Sequence, residues 1–95
     1  MAHYEMMCIL DPSQSDEKRE ASLHNLKDIF EKHHVTITKE DIWGEKKLAY
    51  MINKSEKGYY VLFELELDGK NIKAISKLIN LDRSIWRYMF VAPEA

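Results

Sequence analysis

Two segments of the chain repeat apolar residues every three or four positions, which is the spacing of an amphipathic helix. We predict that the first helix begins at Ser13 or Ser15, because either hydroxyl can cap its first turn and acidic residues follow, and that it ends near His33. The second helix is predicted from Asp68 to about Asn80. The apolar positions that define the two helices are Leu23, Leu26, Ile29 and Phe30, and then Ile72, Ile75, Leu78 and Ile79.

Four other segments have the alternation or the composition of β-strands, and turn residues separate them. The clearest alternation is in the third, where apolar residues occupy the odd positions. In the second, apolar residues change from odd to even positions, which predicts a bulge at Lys39–Asp41 and places Ile42, Leu48, Tyr50 and Ile52 in the core. The predicted strands are 4–10, 35–52, 59–67 and 85–91.

The order of these elements predicts the fold class. Strand, helix, two strands, helix and strand form the ferredoxin-like βαββαβ arrangement, an α+β fold in which two helices cover one face of a four-stranded antiparallel sheet. At 95 residues the chain is expected to form one domain, 1–95. The second strand is expected at an edge of the sheet, where Trp43 is available to a partner.

The sheet face that the helices leave uncovered is predicted to be apolar. Arg87 is easier to solvate than to bury, so the last strand is expected to turn Arg87, Met89 and Val91 outward and Trp86, Tyr88 and Phe90 toward the helices. The first strand is expected to bury Tyr4, Met6, Cys8 and Leu10. A partner-protein interface is therefore predicted at Met7, Ile9, Leu62 and Met89, together with Trp43.

Composition and charge narrow the function classes. The formal net charge is −2, so any contact with nucleic acid has to come from local clusters of cations. The lone cysteine, Cys8, stands in an apolar run and is expected to be an inert core residue. The chain has neither an apolar run that could span a membrane nor a recognisable leader, so we expect a cytoplasmic, unprocessed protein with no membrane contact.

The segment 44–54 carries the most specific motif of the sequence. It combines a glycine, two lysines, Leu-Ala-Tyr, an aliphatic residue and a further lysine, and it resembles the signature of the S-six family of bacterial-type small-subunit ribosomal proteins. The resemblance extends over nearly the whole chain. Its other parts are Tyr4-Glu5, Leu10-Asp11-Pro12, Gly58-Tyr59 and Arg87-Tyr88-Met89.

The resemblance implies a structural constituent of the small ribosomal subunit that binds small-subunit (16S) ribosomal RNA together with the eighteenth small-subunit protein. It implies no catalytic residue, cofactor, metal or small-molecule substrate, and a monomer in isolation. The family often has arginine where this chain has His3, and its final strand is commonly richer in arginine. The RNA-binding residues carried over by position are His3, Lys46, Lys47, Lys54 and Arg87.

Other interpretations of the same fold remain open at this point. The run 57–63 looks like the RNA-stacking segment of an RNA-recognition motif, although Tyr59 is predicted to face the core. A protein-interaction domain outside the ribosome is a second alternative. An acylphosphatase-type enzyme would need an arginine and free backbone amides after the first strand, where the chain has an acidic loop. Adjacent His33 and His34 diverge at a helix end and do not form a metal site.

Overall fold

Four strands and two helices make up the computed structural model of the chain, which describes residues 2–52 and 54–92. A short 3-10 turn, Gly69–Asn71, precedes the second helix. The strands are β1 (Ala2–Leu10), β2 (Thr36–Ile52), β3 (Ser55–Leu67) and β4 (Ile85–Val91), and the helices are α1 (Asp16–Lys32) and α2 (Ile72–Ile79). Asn53, which belongs to the family motif, lies outside the described residues.

Helix α1 begins and ends close to the predicted residues, while α2 ends as predicted but begins at Ile72, because a 3-10 turn takes the place of its predicted first turn. The Ser15 hydroxyl accepts a hydrogen bond from the Lys18 N–H at 3.2 Å, and Asp16 and Glu17 place negative charge at the positive end of the α1 dipole. At the other end, the His33 N–H donates to carbonyl oxygens of the last turn. The predicted N-cap and the end near His33 are therefore confirmed.

The sheet is antiparallel, with the strand order β2-β3-β1-β4. The two helices lie on one face of it, so the ferredoxin-like α+β prediction is confirmed, as is the edge position of β2. We call the other side the open face. It carries the residues of each strand that alternate with the buried ones.

The core lies between the sheet and the helices, and it consists of the side chains that alternation directs inward. Phe30 of α1 meets Phe63 of β3 edge to face, with ring centroids 5.7 Å apart. Cys8 is fully buried, and burial raises the pKa of its thiol to about 12, so it stays protonated as an inert core residue. The largest fully buried side chains are Phe30, Phe63, Met6, Leu10, Leu26, Leu65, Leu67, Ile75 and Ile79.

The predicted orientation of β2 is wrong over its second half. Ile42 and Tyr50 are 51% and 57% exposed, so neither belongs to the core. Leu48 is buried, but it packs outside the main core, near Gly58 of β3. The reason is that the pairing of β2 with β3 shifts three times, at 37/39, 42/44 and 47/52, whereas one bulge was predicted at Lys39–Asp41.

A second correction concerns the start of β4. Ile85, rather than Trp86, fills the core position, and Trp86 lies half-buried beside Asp11 and Pro12. Along β1, Ile9 pairs with Arg87 while Leu10 pairs with Ile85, so Trp86 is the extra residue of a bulge. Beyond the bulge the predicted alternation holds, because Tyr88 and Phe90 pack against the core.

The corrected orientation of Tyr50 predicts the outcome of a pair of substitutions. Phe63→Ala should lower the free energy of unfolding by about 3–5 kcal/mol, because the ring is fully buried against Phe30. Tyr50→Ala should lower it by less than about 1 kcal/mol. Denaturant unfolding of the two variants measures this difference. Equal losses would show that Tyr50 is a core residue after all.

Candidate RNA and protein interface

Strand register arranges the open face in rows that run across the sheet. Ile9 of β1 pairs with Tyr60 on one side and with Arg87 on the other. In the next row Met7 pairs with Leu62 and Met89. The structure thus brings together four of the five residues predicted for a partner interface, namely Met7, Ile9, Leu62 and Met89.

This apolar strip is accessible along the β4 edge. Met89 is 62% exposed, while Met7, Ile9 and Leu62 are half-buried. A groove of about 340 Å³ runs beside them, and part of its lining is aromatic or cationic. Its lining residues are Met7, Ile9, Tyr50, Arg87, Tyr88 and Met89.

Trp43, the fifth predicted interface residue, lies at the β2 edge of the same face. Its ring stacks on Tyr60, with centroids 6.4 Å apart and planes at 14°, and its indole N–H donates to an Asp41 carboxylate oxygen at 3.3 Å. The Lys46 ammonium stands 5.9 Å from the Trp43 ring centroid, within the range of a cation–π contact. Trp43 therefore extends the apolar strip and orients a cation at its border.

The tip of the β2–β3 hairpin folds over the open face. Lys47 pairs with Lys57 and Ile52 with Ser55, so four residues of β2 stand opposite one residue of β3. This excess lets the tip reach across the sheet, where the Arg87 guanidinium carbon lies 4.9 Å from the centroid of the Tyr50 ring. Tyr50 is a candidate interface residue that sequence reasoning missed, because alternation along a regular strand assigned it to the core.

The predicted RNA-binding cations lie in three regions, which are one end of the open face, the opposite side of β2 and the far end of β1. Lys46 and Arg87 stand at opposite edges of one end of the open face, three strand spacings or roughly 15 Å apart. Lys54 lies close by at the hairpin tip, exposed and with a positive φ of 65°. Lys47 follows Lys46 and therefore points to the other side of β2.

His3 is not brought together with the other cations. It lies six residues along β1 from Ile9, or roughly 20 Å, and its Nε2 is 3.6 Å from Glu64. Glu5 and Glu66 flank Glu64 at this end of the face. The open face thus has a cationic and aromatic end, an apolar middle and an acidic end, and the acidic end repels phosphates.

The features behind the rival interpretations have local structural roles. The Asp11 carboxylate accepts hydrogen bonds from the N–H and hydroxyl of Ser13 at 2.8 and 2.6 Å, so the loop after β1 presents an acid, not free amides. Tyr59 packs against the core, with the Arg19 guanidinium 4.0 Å above its ring, as expected from its odd position.

Within residues 2–52 and 54–92, no three His, Cys, Asp or Glu side chains are grouped so that they could hold a metal ion. Over the same ranges, neither helix has the length and apolar character needed to cross a bilayer.

Known proteins are similar to this chain over nearly its whole length. The sequence matches the family described as "Ribosomal protein S6" over residues 3–92. The chain belongs to the ribosomal protein S6 family. It is similar to the small ribosomal subunit protein bS6 of Corynebacterium jeikeium, with 39% identity over 87 residues that cover 92% of each chain. The bS6 protein of Fusobacterium nucleatum is 36% identical over 91 residues, 96% of this chain and 97% of the relative.

A solved S6 structure is similar along most of the chain. The crystal structure of 30S ribosomal protein S6 from Thermotoga maritima matches with a TM-score of 0.87 and 29% identity, covering 94% of this chain and 84% of that one. Membership in the S6 family makes this chain a protein of the small ribosomal subunit, located with the ribosome in the cytoplasm. The relatives are structural ribosomal proteins, so the prediction that the chain is not an enzyme is confirmed by its family.

The fold of the hairpin tip over the open face depends on Gly58. A Cβ at this position would lie 2.5 Å from Ile9 Cγ2 and 3.0 Å from Leu48 Cδ2. We expect Gly58→Ala to destabilise the protein by about 1–3 kcal/mol, because both neighbours would have to move. Thermal unfolding of this variant and of Gly58→Ala combined with Ile9→Ala tests the cause. If removing the Ile9 side chain gives no relief, overpacking at this contact is not the reason.

Proposed function

We propose that this S6-family protein binds small-subunit ribosomal RNA jointly with the eighteenth small-subunit protein, and that the open face is the surface they share. The observation that carries the proposal is the end of the face where Lys46 and Arg87 each stand against an aromatic ring, with an apolar strip beside them. The S6 family match supports a ribosomal role over an RNA-recognition motif or a protein-interaction domain outside the ribosome.

The RNA contact follows from the charge distribution. Lys46 and Arg87 have no acidic partner within 4.0 Å among the described residues, so both are free to pair with phosphates. Trp43 and Tyr50 limit the conformations of these two cations, which lowers the entropy lost on binding. Lys54 and Lys47 extend the cationic end around the hairpin tip, while His3, beside Glu64, contributes least.

The protein contact is expected on the apolar part of the open face, which has no charge to offer to phosphates. Met7, Ile9, Leu62 and Met89 offer apolar area that a folded partner can bury, and Trp43 continues this area to the β2 edge. The acidic end with Glu5, Glu64 and Glu66 attracts a basic partner and repels RNA. Because the chain is acidic overall, its few clustered cations can neutralise only a few phosphates. We therefore expect the protein to bind RNA weakly by itself and more tightly together with the eighteenth small-subunit protein.

One domain is sufficient for this arrangement. The described residues share one core between the sheet and the helices, which supports our proposal that 1–95 forms a single ribosomal protein domain.

A gel-shift titration tests the RNA side of the proposal. A central-domain ribosomal RNA fragment is titrated with this protein, with and without the eighteenth small-subunit protein, at several salt concentrations. We expect a complex that neither protein forms alone and that weakens as salt is raised. Lys46→Glu combined with Arg87→Glu should weaken it and lower the slope of log K against log salt by about two. An RNA that stays unshifted with both proteins present contradicts the proposal.

The control for this titration is Lys18→Glu. Lys18 is exposed in the first turn of α1, on the helix side of the sheet and away from the open face. The variant should bind RNA as the parent does. If Lys18→Glu and the Lys46/Arg87 variant weaken binding to the same extent per charge, the effect comes from net charge and not from a contact.

A substitution in the apolar strip tests the protein side. Met89→Ser should leave stability nearly unchanged, because the side chain is 62% exposed, but it should weaken joint assembly at every salt concentration without changing the salt slope, since no charge is altered. Leu81→Ser is the matched control, since Leu81 is 77% exposed, lies on the helix side and loses the same kind of apolar surface. The affinity of both variants for the eighteenth small-subunit protein is measured by calorimetry without RNA, where Leu81→Ser should equal the parent and Met89→Ser should bind more weakly. Equal weakening by both variants would mean that the open face is not the interface.

A further inference from the structure

The outer face of α2 carries a row of cations that the proposed interface does not use. Lys73 and Lys77 are four residues apart and therefore neighbours on the exposed side of the helix, and Lys70 precedes them by one turn. Arg83 lies just beyond the helix, in a groove with Leu78 and Leu81. We call Lys70, Lys73, Lys77 and Arg83 the α2 stripe.

Among the described residues, no member of the α2 stripe forms an ion pair. Six cations have an acidic oxygen within 4.0 Å, and they are His3, Arg19, Lys27, Lys32, Lys39 and Lys57. Among the described residues, the other lysines and arginines form two clusters and one isolated residue. One cluster is the hairpin end with Lys46, Lys47, Lys54 and Arg87, the other is the α2 stripe, and the isolated residue is Lys18.

The local charge contrasts with the rest of the chain. Residues 68–84 contain four cations and two carboxylates, whereas the remainder contains ten cations and fourteen carboxylates. The two carboxylates, Asp68 and Asp82, accept hydrogen bonds from the Lys70 and Ser84 amides at 3.0 and 2.9 Å, which ties them to the backbone. The α2 stripe is therefore a positive patch on a protein that is acidic elsewhere.

The helix dipole does not explain the exposure of these cations. Asp68 caps the 3-10 turn that leads into α2, and its carboxylate accepts a hydrogen bond from the Lys70 N–H, so this helical segment already begins with an acid. Lys73 and Lys77 are exposed and have no acidic oxygen within 4.0 Å among the described residues, so both are available to an anion outside the chain.

We propose that the α2 stripe is a second contact for the ribosomal RNA backbone, on the side of the protein opposite to the open face. This inference rests on the proposed function, because it places the chain between two segments of the same RNA assembly. Phosphates fit the surface better than a protein does, since its net charge is positive and Lys73 and Lys77 stand one helical turn, about 6 Å, apart on its exposed side. Leu78 and Leu81 line the groove beside Arg83.

Lys73→Glu is the sharpest variant, because it places an acid at the positive end of α2 and so should not unfold the helix. Lys18→Glu is its matched control, with the same change of charge, in the first turn of the other helix and on the same side of the sheet. In the gel shift with the central-domain RNA fragment and the eighteenth small-subunit protein, Lys73→Glu should weaken binding roughly tenfold and lower the salt slope by about one. Lys18→Glu should change neither, and both variants should unfold at or above the temperature of the parent.

The outcomes separate this inference from the proposed function. If the parent complex forms and Lys73→Glu binds like Lys18→Glu, the α2 contact is overturned and the proposed function stands. If no complex forms with the parent protein, both are overturned. If Lys73→Glu weakens binding with an unchanged salt slope, and also weakens binding of the eighteenth protein without RNA, the stripe contacts that protein, and the RNA assignment is overturned.

Discussion

The central position of β1 is the constraint on which the rest of the structure depends. Its backbone pairs with β3 along its whole length and with β4 from Glu5 to Leu10, so three strands share common rows of side chains. Because successive residues alternate, Met6 and Cys8 are held under the helices while Met7 and Ile9 are held on the open face. One set of hydrogen bonds therefore positions both the core and the surface that we propose as the interface.

The edge strand β2 has more freedom, since it pairs with β3 alone. Three register shifts along it cost pairing on one side only, and they lengthen the hairpin enough for its tip to fold over the sheet. Leu48 and Tyr50 thereby reach residues of β1 and β4 that lie two and three strands away. The irregular part of the fold is thus the part that carries the family motif and joins the two edges of the open face.

The positions of the charged residues say more about this protein than its net charge does. The chain is acidic overall, yet all unpaired lysines and arginines of the described residues except Lys18 stand at the hairpin end or along α2, and Glu5, Glu64 and Glu66 stand together at the far end of the open face. Under the proposed function, such an arrangement contributes orientation more than affinity, because phosphates are attracted to the cationic surfaces and repelled from the acidic one. A protein of this kind is suited to joint assembly, where partners supply the remaining phosphate contacts.

The sequence by itself determined the element order, the two helices with the N-cap of α1, the alternation of β1 and β3, and the family through the motif at 44–54. These features depend on neighbouring residues, where periods of 3.6 and 2 and the chemistry of caps decide the outcome. Only the tertiary structure decided that Tyr50 lies over Arg87, that Ile85 replaces Trp86 in the core, and that His3 is far from the other predicted RNA-binding residues. Each of these depends on register between strands distant in sequence, and a bulge that inserts one residue reverses every orientation after it.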